Sequence, residues 1–321
     1  VGPVGFPAPN SAQRALGERA CAVEESAAEG RLVTLLTVLR DAGFVRHHVC
    51  RDATHAGHLA LRATEPSRHL LDDVDVLAYV TCLFENASVG DPHVFEVTRD
   101  VKTRMDFPAS RLQATLGLHD AFVIGVTQQA CTGLLGALRI TASLLRTEPS
   151  LRGALCVTSD RFPAGALYEQ SYNVISDGAA ALRVSRVRPA DGPAWRLVAS
   201  HQITNGALVQ ATDDETVGVF FNHTVRLVRE TLARAGDPRL DWIVPQNMNT
   251  KAWLILARLL GVAPDRVVQD SLPEAAHMIS GDNVLNLDAL ARSGRAQQGD
   301  RVLLVVSGYG MNWQAALLEV A

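Results

Sequence analysis

The chain has 321 residues, of which 47% are hydrophobic, 20% are charged and only 5% are aromatic. This composition is typical of a folded globular protein and excludes disorder as a description of the whole chain. Single hydrophobic cores rarely grow beyond about 250–300 residues, so we expect two core units. The net charge of −4 argues against binding to the phosphate backbone of nucleic acids, so nucleic acid is not an expected partner.

The apolar runs and the cysteines indicate in which cellular compartment the protein is expected. No apolar run approaches the roughly 18–20 residues that a membrane span needs, and no signal peptide is visible. The five cysteines form no CxxC pair, and their odd, scattered set disfavours a disulfide framework or a zinc cluster. We therefore expect a cytoplasmic protein with no membrane partner and no bound metal. The cysteines are Cys21, Cys50, Cys82, Cys131 and Cys156.

Short apolar segments alternate with longer amphipathic segments, which is the pattern of a layered α/β fold. The predicted buried strands are rich in valine, isoleucine and leucine, and lie at 74–81, 121–126, 154–158, 242–244 and 302–306. The predicted helices place apolar residues three and four positions apart, and lie at 32–39, 134–145, 225–235, 252–260 and 284–291.

The order of these elements repeats along the chain. We interpret the chain as two related α/β halves, 1–185 and 186–321. They are joined at 186–195, where proline, glycine and charge interrupt the apolar pattern. The first half has an additional segment at about 84–111, which we interpret as a cap or a subunit contact. The similar pairs are 73–80 with 239–244, 152–160 with 301–310, and 177–182 with 312–317.

The most informative segment is 121–138, in which a buried strand ends, a polar turn follows and Cys131 precedes an apolar helix. Free amide groups and the positive dipole at a helix N-terminus stabilise a thiolate, so Cys131 is a candidate nucleophile. The alternative is a small hydrophobic residue in a buried helix, as most free cysteines are. Cys82 and Cys156 lie in or next to predicted strands, where packing explains them.

Further motifs follow this segment in a fixed order. Together with the segment around Cys131, they resemble the β-ketoacyl-acyl carrier protein synthase III family from about Val74 to the C-terminus. The resemblance implies a homodimer with the thiolase fold, in which two duplicated halves form five αβαβα layers. The N-terminal region matches poorly, and the tryptophan-containing segment that helps to hold pantetheine in the family is not visible. The motifs are ISDGAAA at 175–181, VPQNMN at 244–249, AHMISG at 276–281, GR at 294–295 and SGYGMNW at 307–313.

The chain departs from the family at two positions of its Cys-His-Asn catalytic set. Gln246 stands where the family has the histidine, and His277 stands where it has the asparagine. The similarity runs without a gap from Ala276 to Arg295, which supports this alignment. The resemblance therefore implies that one catalytic imidazole is lost and another is gained in the neighbouring position.

The chain is also similar to a divergent natural-product branch of the family, which includes acyltransferases acting on carrier-bound or sugar-linked substrates. We expect Cys131 to accept an acyl group from an acyl carrier protein or coenzyme A thioester. His277 would then act as general base for transfer to a hydroxyl, amine or thiol of a small-molecule acceptor. The acidic net charge favours coenzyme A as donor unless a local basic patch is present.

The same resemblance implies supporting roles for neighbouring residues. Asn247 or Asp282 would orient the imidazole, with Gln246 as a further supporting residue. By their position in the family, the backbone amides of Cys131 and Tyr309 would form the oxyanion hole. Tyr309 replaces the usual glycine there, which keeps the backbone donor and narrows the pocket.

Two other functions stay open from the sequence. In a decarboxylating β-ketoacyl synthase, His277 and either Gln246 or Asn247 would donate hydrogen bonds to the developing enolate of a malonyl thioester. In a silent structural partner of a heterodimeric synthase, the nucleophile is typically lost, whereas Cys131 is present. None of the three functions implies a resident cofactor or metal.

The N-terminal region contains a loose histidine cluster that superficially resembles a metal site. No carboxylate or cysteine set completes it, so we interpret it as a solvated, partly basic face. Asp177 and Gly178 are interpreted as a turn that supports the active-site layer rather than as a catalytic acid. The histidines are His47, His48, His55, His58 and His69.

Overall fold

The computed structural model describes residues 13–23, 33–51, 53–86, 90–170, 173–188, 194–211 and 213–321. The strands are β1 (Gln13–Leu16), β2 (Arg19–Ala22), β3 (Arg46–Val49), β4 (Val74–Val80), β5 (Phe122–Val126), β6 (Gly153–Asp160), β7 (Glu169–Gln170), β8 (Asn173–Val174), β9 (Gly178–Ser185), β10 (Trp195–Thr204), β11 (Trp242–Pro245), β12 (Arg301–Gly308) and β13 (Asn312–Val320). The α-helices are α1 (Val33–Asp41), α2 (Ala56–Thr64), α3 (Pro92–Thr98), α4 (Pro108–Leu116), α5 (Gly133–Thr147), α6 (Asp213–Ala233), α7 (Thr250–Leu260), α8 (Leu272–Ala275) and α9 (Asp282–Arg292).

The first sheet has the strand order β1-β9-β6-β4-β5. Strand β4 pairs in parallel with β5 and β6, whereas β9 is antiparallel to β6 and β1. Both faces of β4 are covered, because Val76 and Ala78 face one core cluster while Leu77 and Tyr79 face another. Burial on both faces explains why this strand reads as a continuous apolar run.

The second sheet has the strand order β10-β13-β12-β11. Strands β11 and β12 are parallel, and β13 is antiparallel to both β12 and β10. The strands β4, β6 and β9 of the first sheet thus have the same order and directions as β11, β12 and β13. The repeat seen along the sequence is therefore also a repeat of strand order.

Helices α5 and α9 lie between the two sheets and fill the central core with side chains such as Leu134 and Leu285. The outer face of the first sheet is covered by α2 and α4, and the outer face of the second by α6 and α7. The result is the five-layer αβαβα arrangement expected above. Among the described residues, no helix is long and apolar enough to cross a membrane.

The predicted helices and strands are all present, with shifted bounds. Helix α6 begins at Asp213 rather than near residue 225. The elements that were not predicted are the strands β1, β2, β3, β7, β8, β9, β10 and β13 and the helices α2, α3, α4 and α8. The additional segment at 84–111 forms short helical turns, α3 and the start of α4, and residues 87–89 lie outside the described part. The predicted junction at 186–195 is described only in part, because 189–193 also lie outside.

The expectation of a solvated N-terminal histidine face is wrong for His47 and His48. His47 of β3 is only 2% exposed: its ring packs against Tyr168, and its Nδ1 lies 3.2 Å from the carbonyl oxygen of Ile175. Burial lowers the pKa of His47. The ring nitrogens of His48 lie 3.1 Å from the carbonyl oxygen of Gly17 and 3.0 Å from that of Glu274. The remaining members of the cluster are exposed: His55, His58 and His69.

Asp177 is fully buried and joins three segments of the first half. Its carboxylate accepts hydrogen bonds from the backbone N–H of Cys50 at 2.7 Å, the backbone N–H of Phe162 at 2.8 Å and the hydroxyl of Tyr168 at 2.9 Å. A buried carboxylate with three donors is a structural anchor rather than an available proton donor. Within the described residues, no group of three or more histidine, cysteine, aspartate or glutamate side chains is placed to hold a metal ion.

Candidate active site

Cys131 lies in a 3-10 turn, Ala130–Thr132, directly before the central helix α5. The chain reaches it through a sharp turn after β5, in which Gln128 has φ 63° and Ala130 has φ 44°. Non-glycine residues occupy this left-handed region only when their surroundings hold them there. One such contact is the hydroxyl of Ser280, which donates to the carbonyl oxygen of Ala130 at 2.9 Å.

Two glycines allow other elements to approach this turn. A Cβ atom on Gly133 would lie 2.5 Å from Cγ1 of Val80, and a Cβ atom on Gly308 would lie 2.7 Å from the backbone nitrogen of Cys131. Both distances are shorter than real Cβ contacts. The end of β12 therefore lies directly against the backbone of Cys131. No role for Gly308 was predicted from the sequence, although it lies in the SGYGMNW motif.

His277 lies in the loop between α8 and α9 and is 3% exposed. Its backbone N–H donates to the carbonyl oxygen of Val174 at 2.8 Å, and its carbonyl oxygen accepts from the N–H of Ser176 at 2.9 Å. The first half of the chain thus holds a loop of the second half in place through main-chain hydrogen bonds. This contact fixes the backbone from which the imidazole projects.

The side chains of Cys131, His277 and Asp282 form a continuous chain. Sγ of Cys131 lies 3.3 Å from Nε2 of His277, and Nδ1 of His277 lies 2.5 Å from Oδ2 of Asp282. Asp282 is 1% exposed, and its oxygens also accept the backbone N–H of Met278 at 2.6 Å and that of Asn247 at 2.8 Å. Both carboxylate oxygens of Asp282 are therefore held in place by N–H groups. The structure therefore brings the predicted cysteine and histidine together and places Asp282 behind the ring.

Burial lowers the pKa of His277, but the charges of Asp282 and Cys131 oppose it and leave the pKa well above its ordinary value. Both neighbouring charges therefore favour the protonated form of the imidazole. A cationic ring in hydrogen-bond contact with a sulfur atom favours the thiolate, which is the nucleophilic form of cysteine. The 3.3 Å contact from Sγ of Cys131 to Nε2 of His277 thus has the geometry of a cysteine–histidine nucleophile pair.

Asn247 lies elsewhere than predicted. Its side-chain Nδ2 donates to Oγ of Ser271 at 2.9 Å and to the carbonyl oxygen of Ala276 at 2.7 Å, and its Oδ1 accepts from Asn286 at 2.8 Å. The side chain is fully used in this buried network, so only the backbone N–H of Asn247 contacts Asp282. Of the two candidates for orienting the imidazole, Asp282 makes the contact and the Asn247 side chain does not.

We expect Asn247→Ala to act on stability rather than on catalysis. The change leaves three buried polar partners without their hydrogen bonds, which costs about 1–3 kcal/mol for an unsatisfied group. The melting temperature should fall, while the rate of Cys131 alkylation by iodoacetamide in the folded protein should stay close to that of the wild type. A large loss of alkylation rate with an unchanged melting temperature would restore a catalytic role for Asn247.

The structure also shows where the predicted site residues Gln246 and Tyr309 lie. Oε1 of Gln246 accepts the backbone N–H of Ser307, and Gln246 makes no hydrogen bond to His277 within the described residues. The side chain of Tyr309 is 68% exposed, and the backbone at Gly308 is what lies against Cys131. The assignment of the Cys131 and Tyr309 amides as oxyanion donors stays a prediction.

Comparison with known proteins identifies the family. The family described as "3-Oxoacyl-[acyl-carrier-protein (ACP)] synthase III C terminal" matches residues 233–320. The β-ketoacyl-[acyl-carrier-protein] synthase III of Sphingopyxis alaskensis is 30% identical over 238 residues, which cover 67% of this chain and 73% of that protein. This chain belongs to the β-ketoacyl-[acyl-carrier-protein] synthase III family. A synthase III of Rhodospirillum rubrum is 26% identical over 302 residues, covering 87% of this chain and 88% of that protein.

Solved structures show the synthase III fold along almost the whole chain. Synthase III (FabH) of Pseudomonas aeruginosa matches with a TM-score of 0.78 at 22% identity, covering 99% of this chain and 98% of that chain. A structure named as the acyltransferase ChlB3 matches with a TM-score of 0.78 at 21% identity over the same shares. OleA of Xanthomonas campestris matches with a TM-score of 0.73 at 16% identity, again over 99% and 98%. The thiolase-type fold expected from the sequence is confirmed, and the chain falls in a family of enzymes.

Proposed function

We propose that this synthase III family member is an acyltransferase of secondary-metabolite biosynthesis. It moves an acyl group from a carrier-protein or coenzyme A thioester, through an acyl-Cys131 intermediate, to a hydroxyl, amine or thiol acceptor. The observation that carries the proposal is the continuous contact from Cys131 through His277 to Asp282. Acyl transfer needs one nucleophile and one base, and this chain of contacts supplies both. The name of the structural neighbour ChlB3 supports the same activity.

The first half-reaction acylates the enzyme. The thiolate of Cys131 attacks the carbonyl carbon of the donor thioester, a carbon–sulfur bond forms, and the carbonyl electron pair moves onto the oxygen. As the tetrahedral intermediate collapses, the bond to the donor sulfur breaks and Nε2 of the protonated His277 gives its proton to that sulfur. The products are acyl-Cys131, the free thiol of the donor and a neutral His277.

The second half-reaction transfers the acyl group. Nε2 of neutral His277 removes a proton from the acceptor while the acceptor oxygen, nitrogen or sulfur attacks the acyl carbon. Collapse of this intermediate breaks the bond to Sγ of Cys131 and restores the thiolate beside the imidazolium. Asp282 stabilises that imidazolium and keeps its Nδ1 proton directed away from the sulfur. The acceptor carries the acyl group, and no proton is left over.

The main rival is decarboxylating condensation, which the names of the synthase relatives favour. Condensation places two donors beside a malonyl thioester, and here the family's histidine position is occupied by Gln246. The deciding assay supplies acylated enzyme with either a nucleophilic acceptor or a labelled malonyl carrier protein. Acyl acceptor product without carbon dioxide supports transfer, whereas turnover with carbon dioxide release contradicts it.

The donor is proposed as coenzyme A or a carrier protein, with the carrier docking on the surface around α7. The exposed residues Lys251 and Arg258 lie at the two ends of that helix, together with the exposed apolar side chains of Ile255 and Leu259. Lys251 is paired with Asp41 at 3.3 Å, so Arg258 supplies the positive charge beside this apolar surface on a chain of net charge −4. To decide between the donors, the rate of Cys131 acylation is measured with the same acyl group carried by coenzyme A and by the carrier protein. The donor that gives the higher rate is the one used.

A homodimer is the proposed assembly, and the reaction is proposed for the cytoplasm. Strand β5 is the edge of the first sheet, and Phe122 on it is 42% exposed. The segment 84–111 adds exposed apolar side chains, among them Val97 at 85% and Phe107 at 59%. Such a surface is typical of a subunit contact. A sedimentation mass equal to that of the monomer would contradict the proposed homodimer.

The proposed location in the cytoplasm is supported by the cysteines. All five are free, which suits a reducing compartment.

A further inference from the structure

Gln246 occupies the family's histidine position, and its side chain extends a sheet rather than facing His277. The backbone N–H of Gln246 donates to the carbonyl oxygen of Val305 at 3.1 Å, which continues the parallel pairing of β11 with β12. Oε1 of the same residue then accepts the backbone N–H of Ser307, two residues further along β12. The side chain thus supplies the next hydrogen bond of the ladder after β11 has ended.

This hydrogen bond lies at the end of β12 that touches the nucleophile. Ser307 precedes Gly308, where an added Cβ atom would lie 2.7 Å from the backbone nitrogen of Cys131 and 3.3 Å from its Cβ atom. Tyr309, whose amide is a predicted oxyanion donor, follows immediately. A shift of the strand end would therefore move the backbone groups around the reacting carbonyl.

The contact is made through the oxygen of the Gln246 side chain. Gln246 is 5% exposed, and within the described residues its Nε2 atom has no hydrogen-bond partner. Gln269 holds the main chain of the same turn, because its Nε2 donates to the carbonyl oxygens of Gln246 at 3.3 Å and Met248 at 2.9 Å. Side-chain and main-chain anchoring of this turn can therefore be separated by mutation.

We propose that Gln246 is a positioning residue for acyl transfer: its Oε1 fixes the Ser307–Gly308 strand end against Cys131, in the position where the family has a catalytic histidine. This inference rests on the proposed function, because it assigns Gln246 to the same Cys131 site. The acylation step depends on the backbone around the developing oxyanion, whereas alkylation of the same thiolate by iodoacetamide forms no oxyanion. A change that only misplaces the strand end should therefore slow acylation and leave alkylation unchanged, whereas unfolding of the site should affect both reactions.

The test compares Gln246→Met, which has a similar length and no oxygen, with wild-type enzyme in single-turnover acylation by an acyl-coenzyme A. The acylation rate constant at saturation should fall about 100-fold, which is the usual cost of misplacing reacting groups by about 1 Å. The rate of iodoacetamide alkylation of Cys131 should stay within about twofold. Gln246→Glu keeps an oxygen acceptor at the same place and should acylate about 10-fold faster than Gln246→Met.

Gln269→Met is the matched control, because it makes the same chemical change in a side chain that contacts the same turn, and it leaves the Ser307 contact. Acylation within about threefold of the wild type in this variant supports the proposal. Three outcomes overturn it: wild-type acylation in Gln246→Met, a parallel loss of acylation and alkylation, or equal rates in Gln246→Met and Gln246→Glu. Absence of acylation in the wild type itself would overturn the proposed function together with this inference.

Discussion

His277→Ala is expected to lower the rate of acyl transfer to the acceptor by about 1,000-fold, within the range typical of a positioned general base. The variant removes the imidazole whose Nε2 lies 3.3 Å from Sγ of Cys131 in the wild type. It therefore loses both the proton donor of the first half-reaction and the base of the second. Steady-state turnover with an acyl thioester and a nucleophilic acceptor measures the loss.

The same variant should change the pH dependence of Cys131 alkylation. Burial lowers the pKa of His277, but the charges of Asp282 and Cys131 raise it further, so the imidazolium persists above the ordinary range of histidine. As pH falls, the wild-type thiolate keeps its cationic partner, and iodoacetamide alkylation should stay fast in mildly acidic buffer. In His277→Ala the alkylation rate should fall with pH as it does for an ordinary thiol.

His201→Ala provides the control for this substitution. His201 is a half-buried histidine of β10, and its Nε2 lies 2.6 Å from a carboxylate oxygen of Glu230 on the outer side of the second sheet. The two variants remove the same atoms, but only one of them acts at Cys131. Transfer in His277→Ala within about threefold of the wild type would contradict the assignment of the base.

Asp282→Asn is expected to lower acyl transfer by about 100-fold or more, because an aspartate behind a catalytic histidine fixes the ring and stabilises its cation. Both carboxylate oxygens face N–H groups: His277 Nδ1 and the Asn247 N–H at one oxygen, and the Met278 N–H at the other. The amide nitrogen of asparagine must therefore face a donor in either orientation. We expect stability to fall as well, by about 1–3 kcal/mol for the unsatisfied group.

Asp288→Asn is a matched control on the same helix. Asp288 lies near the middle of α9 and pairs with Arg292 at 2.5 Å, and burial raises its pKa despite that partner. A neutral amide is therefore tolerated there, and transfer should be close to that of the wild type. The account of Asp282 fails if Asp282→Asn and Asp288→Asn have the same turnover at a temperature where both are folded.

The layered fold was largely predictable from the sequence because β4, β6 and β12 are buried on both faces and read as unbroken apolar runs. Strands β9, β10 and β13 were missed for a different reason. Strand β9 is rich in alanine, β10 is partly exposed along most of its length, and β13 contains two alanines and the polar Asn312 and Gln314. None of the three gives the valine- and isoleucine-rich run by which strands are recognised.

The candidate site was predictable where one residue type determines the chemistry. Cys131 and His277 stood out as a thiol before a central helix and an imidazole in a recognisable motif. The choice between Asn247 and Asp282 depends on which side chain the surrounding network has already occupied, and Ser271 and Asn286 occupy Asn247. Such long-range satisfaction of polar groups leaves no local pattern in the sequence.

The burial of His47 escaped prediction for the same physical reason. Histidines in a polar-looking segment are usually exposed, whereas this ring packs on Tyr168 and contacts the carbonyl oxygen of Ile175, more than 100 residues away. The close approach of Gly308 to Cys131 is likewise a tertiary feature, since it joins the end of β12 to the turn before α5. A glycine in a motif indicates that another segment of the chain approaches closely, but the sequence does not identify that segment.

The central claim is that Cys131 carries the acyl group, and intact-protein mass spectrometry after incubation with an acyl thioester tests it most directly. Cys82 is the matched control thiol, because burial and the neighbouring Asp160 raise its pKa and keep it protonated. The account predicts one acyl adduct on the wild type and on Cys82→Ala, and none on Cys131→Ala. No adduct on the wild type, or an adduct that persists in Cys131→Ala, would contradict it.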